Sequence, residues 1–297
     1  MLPSRPALRR VVAISDLHVD HSENRDWLEA HCDQDHRGDV LLLGGDIGSG
    51  LSLIRRAFEQ LVSCYGLVFF VVGNHDLWVS QSDGCDSLQR YREICELARS
   101  LGVLTQPQRV LTGEGSGDGV NIVPLMSWYV QPEEGGDSLF LAKPGEDPTL
   151  SMWADRVRVR WPREHDSIDQ YFGEVSQGWR EQIDPELPVV SFSHFLPRQE
   201  LIFTSDEERD RFGVPSADRA PSFNFSRVAG SQRLERQIRT LGSVVHIHGH
   251  QHRNRDRWID GVRYVSNCLG YALERNAIGV RVEDVVPVEV FRFGQRS

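Results

Sequence analysis

The sequence predicts an α/β protein, and three observations carry that expectation. Short, wholly apolar runs, such as residues 40–43 and 67–72, read as strands buried on both faces. Segments with helical spacing stand between them, as in Leu51, Ile54, Phe58 and Leu61, so strands and helices alternate as in parallel βαβ units. Each apolar run also stops at small polar or ionisable residues, as expected where strands deliver their carboxyl ends to a crevice.

Residues 11–15 form the first strand pattern and end in Asp16-Leu17-His18. Residues two apart on an extended segment face the same way, so Asp16 and His18 can reach one cation. Asp20, His21 and Asn24 follow as polar loop residues with no role assigned. The run 40–43 leads through Gly44-Gly45 to Asp46, at the start of the next helical pattern. Asp46 could cap that helix or serve as a ligand. The two glycines favour the ligand, because they let the backbone pass close to something. The run 67–72 feeds Gly73-Asn74-His75-Asp76, where the glycine allows a sharp turn that aims three side chains into one crevice.

Residues 85–100 read as an amphipathic helix, 103–111 as a strand or two around a Pro107 turn, 113–119 as a glycine-rich surface turn, and 120–125 as a strand. The composition then changes. Residues 126–185 hold four of the seven tryptophans, Trp128, Trp153, Trp161 and Trp179, and lack apolar strand runs. We read them as an insertion over the crevice within a single domain spanning 1–297, with one helix from about Asp166 to Gln182. Regular structure resumes with a strand at 187–192 that ends in Ser193-His194, then an irregular loop at 198–226 and a helix at 231–241 capped by Ser231. In the stretch His246-Ile247-His248-Gly249-His250-Gln251-His252, Gly249 is expected to break the strand. His250 and His252 are then outward ligands, and His246 and His248 are strand residues or supports behind the ligands. A hairpin at 258–266 turns at Asp260-Gly261, and 280–293 supplies terminal strands, so the second half reads as antiparallel or mixed.

With 33 basic and 43 acidic residues the formal charge is −10, which repels phosphate backbones and anionic lipid and argues against a general nucleic-acid binder. No apolar run approaches the roughly 20 residues of a membrane span. The N-terminal residues have arginines but no apolar segment ahead of a cleavage site, so no secretory signal is expected. The five cysteines are odd in number and lack Cys-x-x-Cys spacing, which points to a reducing, cytoplasmic setting without a disulfide framework. None sits in a nucleophile setting.

The candidate residues form an ordered set: Asp16-x-His18, Gly45-Asp46, Gly73-Asn74-His75-Asp76, His194 and Gly249-His250-x-His252. Carboxylates, imidazoles and one amide, without thiolate, suit hard to borderline cations such as manganese, iron, zinc, magnesium or cobalt. Seven candidate ligands are too many for one tetrahedral ion and suit two ions sharing a carboxylate. This set resembles the calcineurin-like metallophosphoesterase superfamily, whose motifs run Asp-x-His, Gly-Asp, Gly-Asn-His-Asp/Glu, His and Gly-His-x-His.

The resemblance implies a four-layer αββα sandwich of two mixed β-sheets flanked by helices, with a dinuclear metal site at strand carboxyl ends. It places Asp16, His18 and His252 on one ion and Asn74, His194 and His250 on the other, with Asp46 bridging. The ions would be two divalent cations, or a ferric and a divalent one, drawn from manganese, iron and zinc. An activated water would attack a phosphomonoester or phosphodiester of low molecular weight. His75 would assist the leaving group, with Asp76 holding its ring and favouring imidazolium. Asp46 is followed by Ile47-Gly48-Ser49-Gly50 and not by the Asp-x-x-Asp-Arg-Gly of protein phosphatases, which argues against protein dephosphorylation. Arg198 is a candidate phosphate contact or a solvated arginine. The competing readings are a non-catalytic interaction scaffold and a nuclease. Oligomeric state has no signature in the sequence.

Overall fold

A computed structural model describes residues 7–112, 119–165, 167–212 and 220–294. In the first half, β1 (Arg10–Ile14), α1 (Ser22–Cys32), β2 (His36–Leu43), α2 (Leu51–Cys64), β3 (Tyr65–Phe70) and α3 (Ser87–Leu101) alternate. There follow β4 (Gln108–Leu111), β5 (Gly119–Pro124), α4 (Asp155–Arg158), α5 (Ile168–Val175), β6 (Val189–Phe192) and α6 (Asp206–Phe212). The chain ends with α7 (Gln232–Leu241), β7 (Ser243–Ile247), β8 (Arg255–Ile259), β9 (Val262–Ser266), α8 (Ala272–Ala277) and β10 (Val288–Arg292).

Two mixed sheets result. The first has strand order β10-β1-β2-β3, with β1, β2 and β3 parallel and β10 antiparallel at one edge. The second has order β4-β5-β6-β7-β9-β8, with four parallel central strands and antiparallel β4 and β8 at its edges. Helices α1, α2 and α3 pack together beside the first sheet, while α5 and α7 pack on the second. On α2 the buried positions Ile54, Ala57, Phe58, Leu61 and Cys64 recur at helical spacing, so one face meets the core. One apolar core takes residues from both sheets, including Ile14, Leu41, Phe70, Val190, Phe192 and Ile247. The sheets meet at their carboxyl edges, where Ser15 N–H donates to the Asn267 carbonyl and Leu269 N–H to that of Ser15.

The structure corrects several expectations. The long helix to Gln182 is α5 alone, followed by a break at Gly178 (φ +82°) and a single 3-10 turn, Trp179–Gln182. Its expected start, Asp166, lies outside the described residues. Only Gln108–Leu111 of residues 103–111 is a strand, and only Val288–Arg292 of 280–293. The 198–226 loop holds two 3-10 turns and α6, with residues 213–219 outside the described set, as are residues 113–118 of the glycine-rich turn. Asp46 does not cap α2, whose N-cap is Gly50. The hairpin does turn at Asp260-Gly261, both with positive φ, as a type I′ turn requires. No helix among the described residues is long and apolar enough to cross a membrane.

At the opposite end of the first sheet, the rings of Trp27, His31, His36 and Tyr65 stack, with centroid spacings of 4.9, 4.4 and 4.9 Å. Burial, aided by His36, lowers the pKa of His31 from 6.5 to about 4. A histidine held neutral in the fold takes up a proton more readily when unfolded, so its contribution is full above pH 6.5 and is lost as pH falls toward 4. Urea unfolding of wild type is therefore expected to show declining stability across that window, and His31→Phe a flatter decline.

Candidate metal centre

All seven candidate ligands follow the carboxyl ends of parallel strands. Asp16 and His18 follow β1, Asp46 follows β2, Asn74 follows β3, His194 follows β6, and His250 and His252 follow β7. Seven non-glycine residues have positive φ among those described, and five of them are Asp16, His18, Asp46, His250 and His252. Such conformations cost on the order of 1–3 kcal/mol each and persist only where the surroundings enforce them. Here the backbone is tied across strands. Asp16 N–H donates to the Gly45 carbonyl (2.9 Å), His18 N–H to that of Asp46 (3.0 Å), and Gly249 N–H to that of His194 (2.9 Å). Gly73 is required for a different reason, since a Cβ there would overlap both the carboxylate and the amide nitrogen of Asp46. Gly73→Ala is accordingly expected to displace Asp46 and abolish activity; near-normal turnover and metal content would contradict this packing.

The side chains gather in two halves that share Asp46. In one half, ligand atoms of Asp16, His18, Asp46 and His252 all lie within 4.8 Å of one another. The Nε2 atoms of His18 and His252 are 2.9 Å apart, and His252 Nε2 is 3.3 Å from Asp16 Oδ1. In the other half, Asn74 Oδ1 faces His194 Nε2 (3.2 Å) and His250 Nδ1 (3.1 Å). Asp46 Oδ2 lies 3.5 Å from His194 Nε2 and 3.9 Å from His18 Nε2, between the halves.

The tautomers decide what these atoms can do. His194 Nδ1–H donates to the Gly44 carbonyl, His250 Nε2–H to that of Val228, and His252 Nδ1–H to the Glu274 carboxylate. His194 and His250 therefore turn a lone pair inward, as outer partners of metal-bound imidazoles do, and His252 would do so once a cation takes the place of the Nε2 proton it shares with Asp16. Asn74 is fixed likewise, because its Nδ2 donates to Asp155 Oδ1 (2.9 Å) and leaves Oδ1 pointing at two imidazole lone pairs. Three acceptors facing one another with no proton between them fit a cation. So does the charge balance, since Asp16, Asp46 and Asp76 are buried and no lysine or arginine pairs with them among the described residues.

Protonation tendencies agree for three of the four histidines. Burial opposes charge on His252, but Asp16 and Glu274 hold it well above the usual imidazole range, so without a cation it is the imidazolium partner of Asp16. Burial pushes His18, His194 and His250 below the usual imidazole range, keeping their lone pairs available. Burial and the neighbouring Asp76 and Asp16 push Asp46 well above the carboxylate range. Burial opposes charge on Asp16 as well, but His252 holds it below the usual range. Carboxyls in such a place ionise readily beside a cation.

His75 stands at the rim. Its ring stacks on Trp78 (centroids 3.6 Å apart), meets His18 edge-on at 4.7 Å, and places Nε2 4.0 Å from Asp46 Oδ2. The expected support from Asp76 is not present. The Asp76 carboxylate instead accepts backbone N–H bonds from Gly73, Asp46, Ile47 and Gly48, at 2.8 to 3.2 Å. It locks the loop after β2 against the loop after β3, and burial raises its own pKa to about 7 despite those bonds. Nor is His75 drawn toward imidazolium, because burial and the neighbouring His252 and His194 lower it to about 3.

Other residues escaped the sequence reading. Asp155 is buried and also accepts from Trp78 Nε1 (2.7 Å), so one carboxylate from the 126–185 segment holds both Asn74 and the platform under His75. Tyr271 lays its ring against His18 and His252, at 4.5 and 4.9 Å. Asn24, left without a role, donates to the carbonyls of Leu17 and Gly270 and ties two site loops together. His246 is held between Ser191 and Ser193 within the second sheet, away from the ligand set. Arg198 is engaged by Glu200, Glu235 and Asp260 and offers no free guanidinium for a phosphate.

Comparison with known proteins gives a consistent result. Residues 9–254 match the calcineurin-like phosphoesterase family. A curated relative, [acyl-carrier-protein] phosphodiesterase PptH of Mycobacterium tuberculosis, is 26% identical over 285 residues, covering 88% of this chain and 78% of the relative. The crystal structure of the phosphopantetheinyl hydrolase PptH from the same organism superposes with a TM-score of 0.70 at 22% identity, over 95% of each chain. That likeness shows the fold, and the family match extends over most of the sequence. The chain belongs to the calcineurin-like phosphoesterase family and is a metal-dependent phosphoesterase.

Proposed function

We propose that the chain is a two-ion phosphodiesterase acting on esters of small alcohols, with a phosphopantetheine-type group on a carrier as its leading substrate class. The observation that carries this reading is the donor set, in which two groups of inward lone pairs share one buried carboxylate. The substrate class rests on the 26% identity to a carrier-protein phosphodiesterase over 88% of the chain. Asp16, His18 and His252 would hold one ion, Asn74, His194 and His250 the other, and Asp46 both. Two such cations supply a nucleophilic water at neutral pH and neutralise the phosphoryl oxygens.

The chain's own residues do the rest. His75 Nε2–H would donate to the departing oxygen on the rim side, its ring kept in place by the Trp78 stack. Around His250 the rings of Trp153, Phe195 and Phe225 form an aromatic wall, of which the half-buried Trp153 and Phe225 would offer an apolar face to the substrate's alkyl part while Phe195 packs behind. The 126–185 segment would act as a fixed cover, anchored by the contact of Asp155 with Asn74.

Asp155→Ala is expected to weaken binding of one ion by about 10- to 100-fold while leaving the other, because the amide of Asn74 loses its orienting acceptor. Metal titration of stripped protein reads this directly, and two unchanged affinities would contradict it. The substrate class is tested by comparing p-nitrophenyl phosphate, bis-p-nitrophenyl phosphate and a phosphopantetheinylated carrier protein. Preference for the diesters supports the reading; turnover of the monoester alone would overturn it.

A further inference from the structure

Within eight residues of the 126–185 segment stand Arg156, Arg158, Arg160 and Arg163, in a chain whose formal charge is −10. All four are exposed. Arginines elsewhere in the fold are mostly engaged, as Arg198, Arg227, Arg233 and Arg257 are with nearby carboxylates. Among the described residues no carboxylate lies within ion-pair distance of Arg156, Arg158 or Arg163, while Arg160 is near enough to Asp83 to help hold that carboxyl below its usual range. The backbone beneath them is nonetheless fixed. Val79 N–H donates to the Arg158 carbonyl and Ser87 N–H to that of Arg160, each at 2.8 Å, and the Arg160 guanidinium donates to the carbonyls of Ser80 and Cys85.

This arm begins beside the metal centre, since Asp155, which precedes Arg156, holds Asn74. It also runs along the leaving-group side: the Arg158 guanidinium lies 5.9 Å from the Trp78 ring, which stacks on His75. Val157 and Met152, 76% and 58% exposed, put apolar surface among the charges.

We propose that this arginine arm is the docking surface for an acidic protein that presents the scissile phosphodiester to the metal centre. The inference rests on the diesterase reading above and adds to it where the carrier sits. A free small ester would occupy the crevice without reaching exposed side chains along the cover. An acidic protein surface with an apolar patch would meet both the arginines and Val157 while its phosphodiester enters beside His75. RNA is the less suitable partner, because the rest of the chain is acidic and the exposed apolar residues of the arm are aliphatic.

The test uses the metal-loaded full chain and the double variant Arg156→Glu/Arg163→Glu, with Arg156→Gln/Arg163→Gln as a milder control. Two substrates are compared, bis-p-nitrophenyl phosphate and an acidic acyl carrier protein bearing a phosphopantetheinyl serine. The charge reversal is expected to lower kcat/KM on the carrier by about tenfold or more and to flatten its salt dependence, with the small diester unchanged. The Gln variant should fall between. Carrier turnover within twofold of wild type in the charge-reversed protein would overturn the docking inference and leave the diesterase reading standing. Wild-type turnover of the small diester with none of the carrier would overturn the carrier reading and the inference with it. Equal loss on both substrates, or single-stranded RNA binding that disappears in the variant, would also overturn the inference.

Discussion

Asp46→Asn is expected to lower kcat by a factor on the order of 10³ or more, with loss of metal from both halves of the site. Asparagine has nearly the shape of aspartate, so the bond from His75 N–H to Oδ1 (2.8 Å) can survive and the loop after β2 should stay in place. The atom that changes is Oδ2, which lies 3.5 to 4.0 Å from the ring nitrogens of His194, His18 and His75. Replacing it with an amide removes the charge shared by both halves and turns a donor toward the ions. The same substitution is expected to stabilise metal-stripped protein. Burial and two nearby carboxylates hold the Asp46 pKa above 3.8, so the unfolded chain gives up this proton first and stability is lost as pH rises through the folded-state pKa. A neutral residue removes that loss. Falling activity with rising stability of the stripped protein at neutral pH is the expected pair of results; a fall in both would indicate that Asp46 mainly supports the fold.

His75→Ala should lower kcat by about 10²- to 10⁴-fold on an alkyl diester while metal content stays unchanged. The ring makes no inward contact with Asn74 Oδ1 or the Asp16 carboxylate, the atoms around which the two halves gather. Its Nε2 instead sits at the rim, 4.0 Å from Asp46 Oδ2. An alkoxide is a poor leaving group and needs a hydrogen-bond donor or proton as the bond to phosphorus breaks; p-nitrophenolate needs far less. The loss should therefore be large on the carrier phosphodiester and small on bis-p-nitrophenyl phosphate. Equal losses on both substrates, or loss of metal, would remove His75 from the leaving-group role. Trp78→Ala should produce a weaker version of the same pattern, because it releases the ring that Trp78 stacks against.

The site is assembled from five separate stretches because parallel strands bring their carboxyl ends to one edge, and apolar runs ending in polar residues are visible in a sequence. That is why Asp16, Asp46, Asn74, His194 and His250 could be grouped before any coordinates. Partners reached only through tertiary folding could not be. Asp155 meets Asn74 across 81 residues of sequence, inside a segment without strand periodicity, and Glu274 meets His252 from a short terminal helix. Asp76 shows the opposite failing. Adjacency to His75 suggested a ring contact, but the 3-10 turn at His75–Leu77 sends the carboxylate beneath the chain to four backbone amides. The helix to Gln182 was overextended because apolar spacing continues past Val175, whereas Gly178 takes a left-handed conformation that ends it. In each case the deciding contact or dihedral is non-local or conformational, and neither is recorded in hydrophobic period.

The most direct measurement is electron paramagnetic resonance of stripped protein titrated with manganese, with bound metal counted per chain. Two manganese ions bound per chain with a spin-coupled signal, collapsing to an uncoupled one in Asp46→Asn, is the result expected of two half-sites joined by one carboxylate. A single ion per chain, or two ions whose signal remains uncoupled in wild type, would contradict it.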